Sequence, residues 1–188
     1  MNPALLRCAV ALFASAALTV QADQKLLPAQ SEIGFTSRQM GVPVEGRFRR
    51  FGAQIAFDPK QPEAAKIAIT VDLASIALGA PEFDAELAKP EWFDTKAFPQ
   101  AIFQSSGVKA LGGGRFEVSG KLAMKSISRD MVVPVTLTQT AGTTTASGSF
   151  AIKRLDFRIG DSDWKDPAVV ADAVQVKFKL VLSGVAPL

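Results

Sequence analysis

The sequence predicts an all-β fold, an eight-stranded antiparallel barrel with one short helical insertion after the third strand. Apolar and polar residues alternate with period 2 in eight segments, as in strands with one buried face. The connections between most of these segments are short, which favours an antiparallel, up-and-down order over βαβ units. Closing such a sheet into a barrel removes its exposed edges, and a β-sandwich is the competing architecture.

The first predicted hairpin lies within residues 31–59. Alternation runs along a first strand and, after the bend at Met40–Pro43, along a second strand that reaches Phe57. The second strand breaks its alternation once, at Arg49-Arg50. This break predicts a β-bulge or a sharp bend in one unusually long strand.

The third predicted strand, residues 66–73, precedes the one segment with helical spacing. In residues 80–89, apolar side chains stand at i and i+4 and Pro81 lies near the start, which predicts a short helix. Residues 91–99 follow with three bulky aromatic side chains outside any regular element. These aromatic side chains are expected to be buried against the sheet.

Five more strands are predicted, at residues 101–110, 115–124, 129–139, 144–154 and 174–182. The glycine triplet at residues 112–114 predicts the turn of a hairpin. Pro134 cannot donate a ladder hydrogen bond, so it is expected at an edge or a bulge. Residues 155–171 are expected to form a loop.

Residues 1–22 are interpreted as a secretory signal peptide, followed by a single domain at residues 23–188. Arg7 supplies positive charge before an apolar run that ends at a small-residue cleavage site, Val20-Gln21-Ala22. The run is shorter than the roughly 20 residues that a membrane span requires, so no span is expected after cleavage. A periplasmic or secreted location follows, and a buried N-terminal helix is the alternative interpretation.

The composition excludes several classes of site. The chain contains no histidine, and its one cysteine, Cys8, lies inside the predicted signal peptide. Histidine and cysteine dominate zinc, copper and haem ligation, and histidine is the usual general base of hydrolases. The aspartates of residues 156–172 lack the spacing of an EF-hand loop. No metal site and no enzymatic activity are therefore expected, and a net charge of +3 with mixed signs gives little support to nucleic-acid binding.

Several short motifs occur in a fixed order: Gly46-Arg47-Phe48, Ile55–Pro59, Trp92-Phe93-Asp94, Phe98–Ala101 and Arg154–Gly160. Together they resemble the YceI-like polyisoprenoid-binding family over nearly all of the chain after residue 22. Two positions depart from the family pattern. Gln39-Met40-Gly41 stands where many members carry His-x-Gly, and Ser126–Asp130 stands where many carry a Gly-Val-Thr-Lys/Arg-Pro turn.

The resemblance implies a lipocalin-like barrel that carries an isoprenoid-type lipid, such as a quinone or a polyprenyl phosphate, in the cell envelope without chemistry. No cofactor is implied apart from that bound lipid, for example a polyprenyl quinone, and no catalytic residue is assigned. Arg38 is the candidate for pairing with a pyrophosphate. The candidate ligand-binding residues are Phe35, Arg38, Met40, Val44, Phe48, Ile69, Val71, Trp92, Phe93, Phe98, Phe103, Phe116, Val118, Leu122, Val133, Val135, Phe150, Val176 and Phe178.

Other interpretations stay open at this level. An eight-stranded barrel can hold one small ligand or be filled by its own side chains, so plain core packing is the alternative role of each candidate residue. A ligand-free interaction or scaffold module of the envelope, with a packed interior, is the main alternative function. A hydrolase of lipid-like substrates is weakened by the missing histidine, and a homodimer is compatible with the sequence.

Overall fold

A computed structural model describes residues 23–188, and the predicted signal peptide lies outside the described residues. Within that range the fold is all-β with one α-helix, α1 (Pro81–Leu87). No helix in this range combines the length and the apolar character that a membrane crossing requires. The strands are β1 (Lys25–Leu26), β2 (Glu32–Gln39), β3 (Val42–Phe48), β4 (Phe51–Ala56), β5 (Lys66–Asp72), β6 (Ile76–Ala77), β7 (Gln100–Gly112), β8 (Arg115–Met124), β9 (Ile127–Thr140), β10 (Thr143–Lys153) and β11 (Ala173–Ser183).

All of these strands belong to one curled, barrel-like antiparallel sheet. Ten strands follow one another in the order β4-β5-β7-β8-β9-β10-β11-β2-β3-β6, and β1 pairs with the C-terminal end of β11. From β7 to β11 each strand pairs with its neighbour in the chain. The predicted antiparallel, up-and-down order is therefore confirmed.

The two ends of the sheet are connected by a very short piece of chain. The strand β4 begins the order and β3 stands next to its other end, yet only Arg49 and Arg50 separate these strands along the chain. β3 pairs with β2 along its whole length, whereas β4 pairs with β5. The sheet must therefore curl until its opposite ends meet at this junction.

The junction between β3 and β4 is held by a 3-10 turn at Leu73–Ser75. The Arg50 backbone N–H donates to Oγ of Ser75 at 3.0 Å, and the Arg49 N–H donates to the Ser75 carbonyl at 3.0 Å. The Asp72 N–H in turn donates to the Arg50 carbonyl at 3.0 Å. Ser75 is only 3% exposed. These contacts satisfy the backbone groups that leave the ladder at the corner, as buried backbone groups require.

The predicted number of eight strands is wrong, because the described residues form eleven. The predicted second strand is divided at Arg49-Arg50, where the chain turns from pairing with β2 to pairing with β5. β1 and β6 are two residues long, too short to show a period. The predicted helix is confirmed at Pro81–Leu87. It follows β5, which corresponds to the predicted third strand, and the short β6 lies between them.

Pro134 lies where the pairing between β9 and β10 is interrupted. The two strands pair from Thr136↔Ser147 to Thr140↔Thr143 and not beyond. Pro134 itself pairs with Glu117 of β8 on the other side. The missing donor therefore falls just outside the ladder, as its chemistry predicted.

The barrel has two different ends. One carries the β2–β3 turn and residues 78–99 and 154–172, and it is called the mouth end below. The other carries residues 57–65, the β7–β8 and β9–β10 turns and the C-terminal residues 184–188, and it is called the closed end. At the closed end Phe57 and Phe116 meet edge to face, 5.3 Å between ring centroids, and both are buried.

We expect Ser75→Ala to lower the free energy of unfolding by about 1–3 kcal/mol, because the Arg50 N–H would keep its place without an acceptor. Urea unfolding followed by circular dichroism measures this change. Ser162→Ala, at an exposed position, is the matched control and should stay within about 0.5 kcal/mol of the parent. Equal effects of the two substitutions would contradict the role of Ser75 at the corner.

Candidate functional site

The barrel interior encloses a cavity of about 710 Å³. Ligand pockets in proteins commonly measure ~300–1,000 Å³ and are mostly apolar, and this cavity has that character. Its wall consists chiefly of aliphatic and aromatic side chains from the inward faces of the strands. A cavity of this size distinguishes this interior from an ordinary protein core, which is closely packed and has few voids larger than a water molecule.

The cavity extends from the closed end to the mouth end. At the closed end its wall includes Phe57, Phe116 and Leu180, which are 6–7% exposed. At the mouth end the wall includes Glu45 and Phe83, and the Phe83 side chain is 61% exposed. The cavity is therefore elongated along the barrel and reaches the surface beside α1 and the β2–β3 hairpin.

All but two of the candidate residues from the sequence lie on the cavity wall. Contact of these residues with a ligand stays a prediction. The residues on the wall are Phe35, Arg38, Val44, Phe48, Ile69, Val71, Trp92, Phe93, Phe103, Phe116, Val118, Leu122, Val133, Val135, Phe150, Val176 and Phe178.

Met40 and Phe98 are the two candidates that lie off the cavity wall. Met40 occupies the tip of the β2–β3 turn with φ of 47°, and its side chain is 71% exposed. Phe98 is half-buried in the turns before β7, where its N–H donates to the Asp94 carbonyl at 2.8 Å. Both residues sit in turns, whose direction strand alternation does not predict.

Several wall residues were not among the candidates. Ile33, Ile55 and Phe57 continue the inward faces of predicted strands, so alternation alone could have found them. Arg154 and Trp164 are also on the wall. They lie at or beyond the end of β10, where the sequence has no period to indicate a direction.

Glycines on the sheet allow three phenylalanine rings to lie close against it. A Cβ on Gly46 would come within 2.7 Å of Cε1 of Phe35 on the paired strand. The same relation holds between Gly120 and Phe103 and between Gly148 and Phe178, at 2.6 Å and 2.7 Å from the ring Cζ atoms. Since these rings occupy space that a side chain would fill on the neighbouring strand, they take up less of the lumen.

Arg154 stabilises the loop formed by residues 154–172 at the mouth end. Its side chain is 2% exposed, and each of its five N–H donors has a backbone carbonyl within reach. The acceptors, at 2.5–3.1 Å, are the carbonyls of Ala171, Ile159, Gly160, Trp164 and Val170. Burial lowers the pKa of Arg154, and the nearby Asp172 carboxylate opposes that shift. The guanidinium therefore links residues 159–164 of this loop to residues 170–171 through hydrogen bonds.

Lys125 ties a second group of loops at the same end. Its Nζ donates to the carbonyls of Trp92 and Arg158, each at 2.7 Å, and to that of Pro90 at 3.2 Å. Burial lowers the pKa of Lys125, whereas the carboxylates of Asp161 and Asp94 act in the opposite direction. The segment that carries Trp92 is thereby attached to the loop that Arg154 holds.

Trp92 has the one polar side-chain atom in residues 23–188 that is buried without a hydrogen-bond partner, its indole Nε1. Its ring packs against Trp164, 5.7 Å between centroids and tilted by 35°. A Cβ on Gly160 would approach Cζ3 of Trp92 to 3.0 Å, so this glycine makes room for the indole. An unsatisfied buried donor costs about 1–3 kcal/mol.

Among residues 23–188 the cavity wall has four charged residues, all toward the mouth end, and one of them is Arg154, whose donors are already satisfied. Arg38 donates to the Gly41 carbonyl at 3.0 Å, and Glu86 forms an ion pair with Lys89. Glu45 has no ion pair among the described residues. Residues 23–188 contain no group of three or more acidic, histidine or cysteine side chains placed to hold a metal ion.

A family model described as a YceI-like domain matches residues 24–182. The chain is also similar to UPF0312 proteins. It is 30% identical to one from Azotobacter vinelandii over 47% of this chain and 46% of that protein. It is 29% identical to one from Photorhabdus laumondii over 65% of both. The alignments thus span about half to two thirds of these relatives.

Solved structures with the same fold include BcnA of Burkholderia cenocepacia. It is 42% identical, with a TM-score of 0.80 over 83% of this chain and 98% of that chain. A polyisoprenoid binding domain from Saccharophagus degradans has a TM-score of 0.71 at 19% identity, over 88% and 99% of the two chains. At such low identity the second likeness shows the fold alone.

We expect Arg154→Lys to lower the free energy of unfolding by about 3 kcal/mol or more. An ammonium has three donors instead of five, so at least two hydrogen bonds to a charged group are lost, each contributing about 1.5–3 kcal/mol. Urea unfolding measures the change. Arg129→Lys, exposed and with one long contact to the Ser128 carbonyl, is the control and should change stability by less than about 0.5 kcal/mol. A mild effect of Arg154→Lys would show that the loop does not depend on the guanidinium fork.

We expect Gly46→Ala to move the Phe35 ring into the lumen and to destabilise the fold by about 1–3 kcal/mol, as overpacking does. Thermal unfolding and a crystal structure of the variant measure both effects. Gly52→Ala on β4 is the control, because no atom lies within 4 Å of its Cβ position. An unmoved Phe35 ring in Gly46→Ala would contradict the proposed packing.

Proposed function

This chain belongs to the YceI-like family, and we propose that it binds an isoprenoid-type lipid inside its barrel and carries it without chemistry. The observation that carries the proposal is the elongated apolar cavity of about 710 Å³ that opens at the mouth end. A long hydrocarbon tail needs only apolar area from the wall that surrounds it. Burying that tail is favourable by ~25 cal/mol per Å².

The shape of the wall supports a tail-inward orientation. The closed end is lined by buried apolar groups such as Phe57, Phe116 and Leu180. The polar wall residues near the opening include Arg38, Glu45 and Arg154. An amphiphile therefore fits with its apolar tail toward the closed end and its head toward the mouth. The solved polyisoprenoid binding domain from Saccharophagus degradans, which shares this fold, supports the isoprenoid class.

The finer parts of the proposal rest on the sequence. A polyprenyl quinone or a polyprenyl phosphate is the proposed cargo, and the cell envelope is the proposed place of action. The predicted signal peptide at residues 1–22 supports a periplasmic or secreted protein. The lack of histidine in the chain, and of cysteine after residue 22, supports binding without catalysis, since the usual nucleophile and base pairs are missing.

A scaffold module with a packed interior is the alternative function. Close packing leaves few voids larger than a water molecule, and the cavity is far larger than that. The observed interior therefore favours a ligand over a filled core. A cavity of this size that held no ligand would also lower the free energy of unfolding, because unfilled volume destabilises a protein.

Solvent extraction of the purified protein, followed by mass spectrometry, tests the proposal directly. We expect one long-chain isoprenoid lipid per chain, and its mass identifies the chain length and head group. Delipidated protein should also take up a polyprenyl quinone or a polyprenyl phosphate from detergent in a saturable way. Repeated extraction without any lipid, together with failure of both probes to bind, would overturn the proposal in favour of the scaffold module.

We expect Val133→Trp to abolish most lipid binding, because Val133 is 6% exposed on the cavity wall and a larger side chain would fill the lumen. Titration with a polyprenyl quinone measures the loss of affinity, and circular dichroism confirms the fold. Val132→Trp is the matched control on the same strand, since Val132 faces outward and is 56% exposed. Equal binding by both variants would place the ligand outside the barrel.

A further inference from the structure

The closed end of the cavity has a floor made of two phenylalanine rings. Phe57 and Phe116 both belong to the cavity wall, and they meet edge to face with 5.3 Å between ring centroids. They are only 6% and 7% exposed, so almost all of each residue is packed inside the fold. A hydrocarbon tail that enters from the mouth end therefore meets these rings at the far end of the lumen.

The two rings of the floor are held in place by their surroundings. The Gln24 side chain donates from Nε2 to the Phe57 carbonyl at 2.6 Å, and its Oε1 accepts from the Phe57 N–H at 2.9 Å. Phe116 lies on β8 and is paired on both sides, with Ala110 of β7 and Val135 of β9. Both rings also belong to one cluster of buried apolar residues. Displacing either ring would overpack this cluster, which is unfavourable.

The C-terminal segment closes the same end beside the rings. Val185 is part of the cavity wall and packs against the same cluster. Gln139 holds this segment, because its Nε2 donates to the Ala186 carbonyl at 2.8 Å and its Oε1 accepts from the Leu188 N–H at 3.0 Å. The same Nε2 donates at 3.0 Å to Oγ1 of Thr144, a wall residue that is 2% exposed. The floor is thus fixed from two sides.

The distance from the floor to the mouth limits the length of tail that the lumen can surround. β8 leads from Phe116 at the floor to Met124, which is also on the wall and lies beside the mouth-end loops that Lys125 binds. With ~3.3 Å per residue along a strand and a tilt of ~35–45° in a barrel, the floor lies roughly 20 Å below the mouth. Each five-carbon prenyl unit within this depth buries a similar apolar area and adds a similar gain. A further unit must fold back in the lumen or stay in water at the mouth.

We propose that the floor formed by Phe57 and Phe116 sets the maximum length of the prenyl tail that this protein binds. The cavity thereby selects its cargo by chain length. Affinity rises with each prenyl unit until the tail reaches the floor, and it does not rise beyond that limit. This inference rests on the proposed function, because it requires a lipid tail that points toward the closed end.

A competition between prenyl chains of different length tests the proposal. Delipidated protein is equilibrated in detergent with an equimolar series of prenyl benzoquinones whose tails range from shorter than the lumen to more than twice its depth. Mass spectrometry then compares the chains extracted from the protein with those left in the detergent. We expect enrichment on the protein to rise with length and to stop rising at a defined chain. A steady rise to the longest chain would overturn this inference and leave the proposed function intact, whereas failure of every chain to bind would overturn both.

Two substitutions move the floor in opposite directions. Phe116→Ala lowers it, and Val118→Phe raises it, because Val118 lies two residues closer to the mouth on the same face of β8, on the cavity wall and 5% exposed. We expect the limiting chain to become longer by at least one prenyl unit in the first variant and shorter by at least one unit in the second. A general loss of stability does not produce opposite shifts, and circular dichroism checks each fold. If Phe116→Ala does not fold, Val118→Phe decides alone, and an unchanged limit in a folded variant would overturn the inference.

Matched controls remove or add the same ring away from the floor. Phe93→Ala deletes a phenyl ring from the wall at the mouth end, and Val132→Phe adds one on the outer surface, where Val132 is 56% exposed. Both variants should keep the limiting chain of the parent, even where Phe93→Ala weakens the binding of all chains. A limit that lengthens equally in Phe93→Ala and Phe116→Ala would mean that total volume sets the length, and it would overturn the role of the floor.

Discussion

The whole structure depends on the covalent junction at Arg49-Arg50. β3 and β4 lie at opposite ends of the strand order, and the two residues between them require those ends to meet. The right-handed twist of β-strands makes such curling of an antiparallel sheet accessible. The Leu73–Ser75 turn then supplies the hydrogen bonds that the interrupted ladder cannot. Because the sheet curls until its two ends meet, its apolar face lines the interior of a barrel-like fold.

A closed apolar face can be filled or hollow, and here local details favour a hollow interior. Phe35, Phe103 and Phe178 rest close to glycines of neighbouring strands, which keeps large rings near the wall. Their apolar area still lines the cavity, so it is available to a ligand tail. The cost of an unfilled volume is the ordinary cavity cost seen in large-to-small core substitutions, and a bound lipid would remove it.

The loops of the mouth end are held by hydrogen bonds from side chains, whereas the strands are held by backbone ladders. Two cations, Arg154 and Lys125, bind backbone carbonyls of loops that have no regular hydrogen-bond ladder. Buried backbone carbonyls need partners, and a guanidinium or an ammonium can serve several at once. This arrangement places Trp92 and Trp164 on the cavity wall while leaving the Trp92 indole N–H unpaired. The loops therefore give the polar character of the site, whereas the strands give its apolar length.

The sequence by itself determined the all-β class, the antiparallel order, the helix and many of the wall residues on the strands, because alternation reports which face of a strand is apolar. It could not reveal β1 and β6, because two residues are too short to show a period. It could not reveal where one long strand divides, because the corner at Arg49-Arg50 depends on distant turn residues. It also left open whether the interior is filled, and it did not identify Arg154 or Trp164 as residues of the cavity wall. Those features arise when side chains far apart in the chain meet across the closed sheet, and no local pattern records such distances.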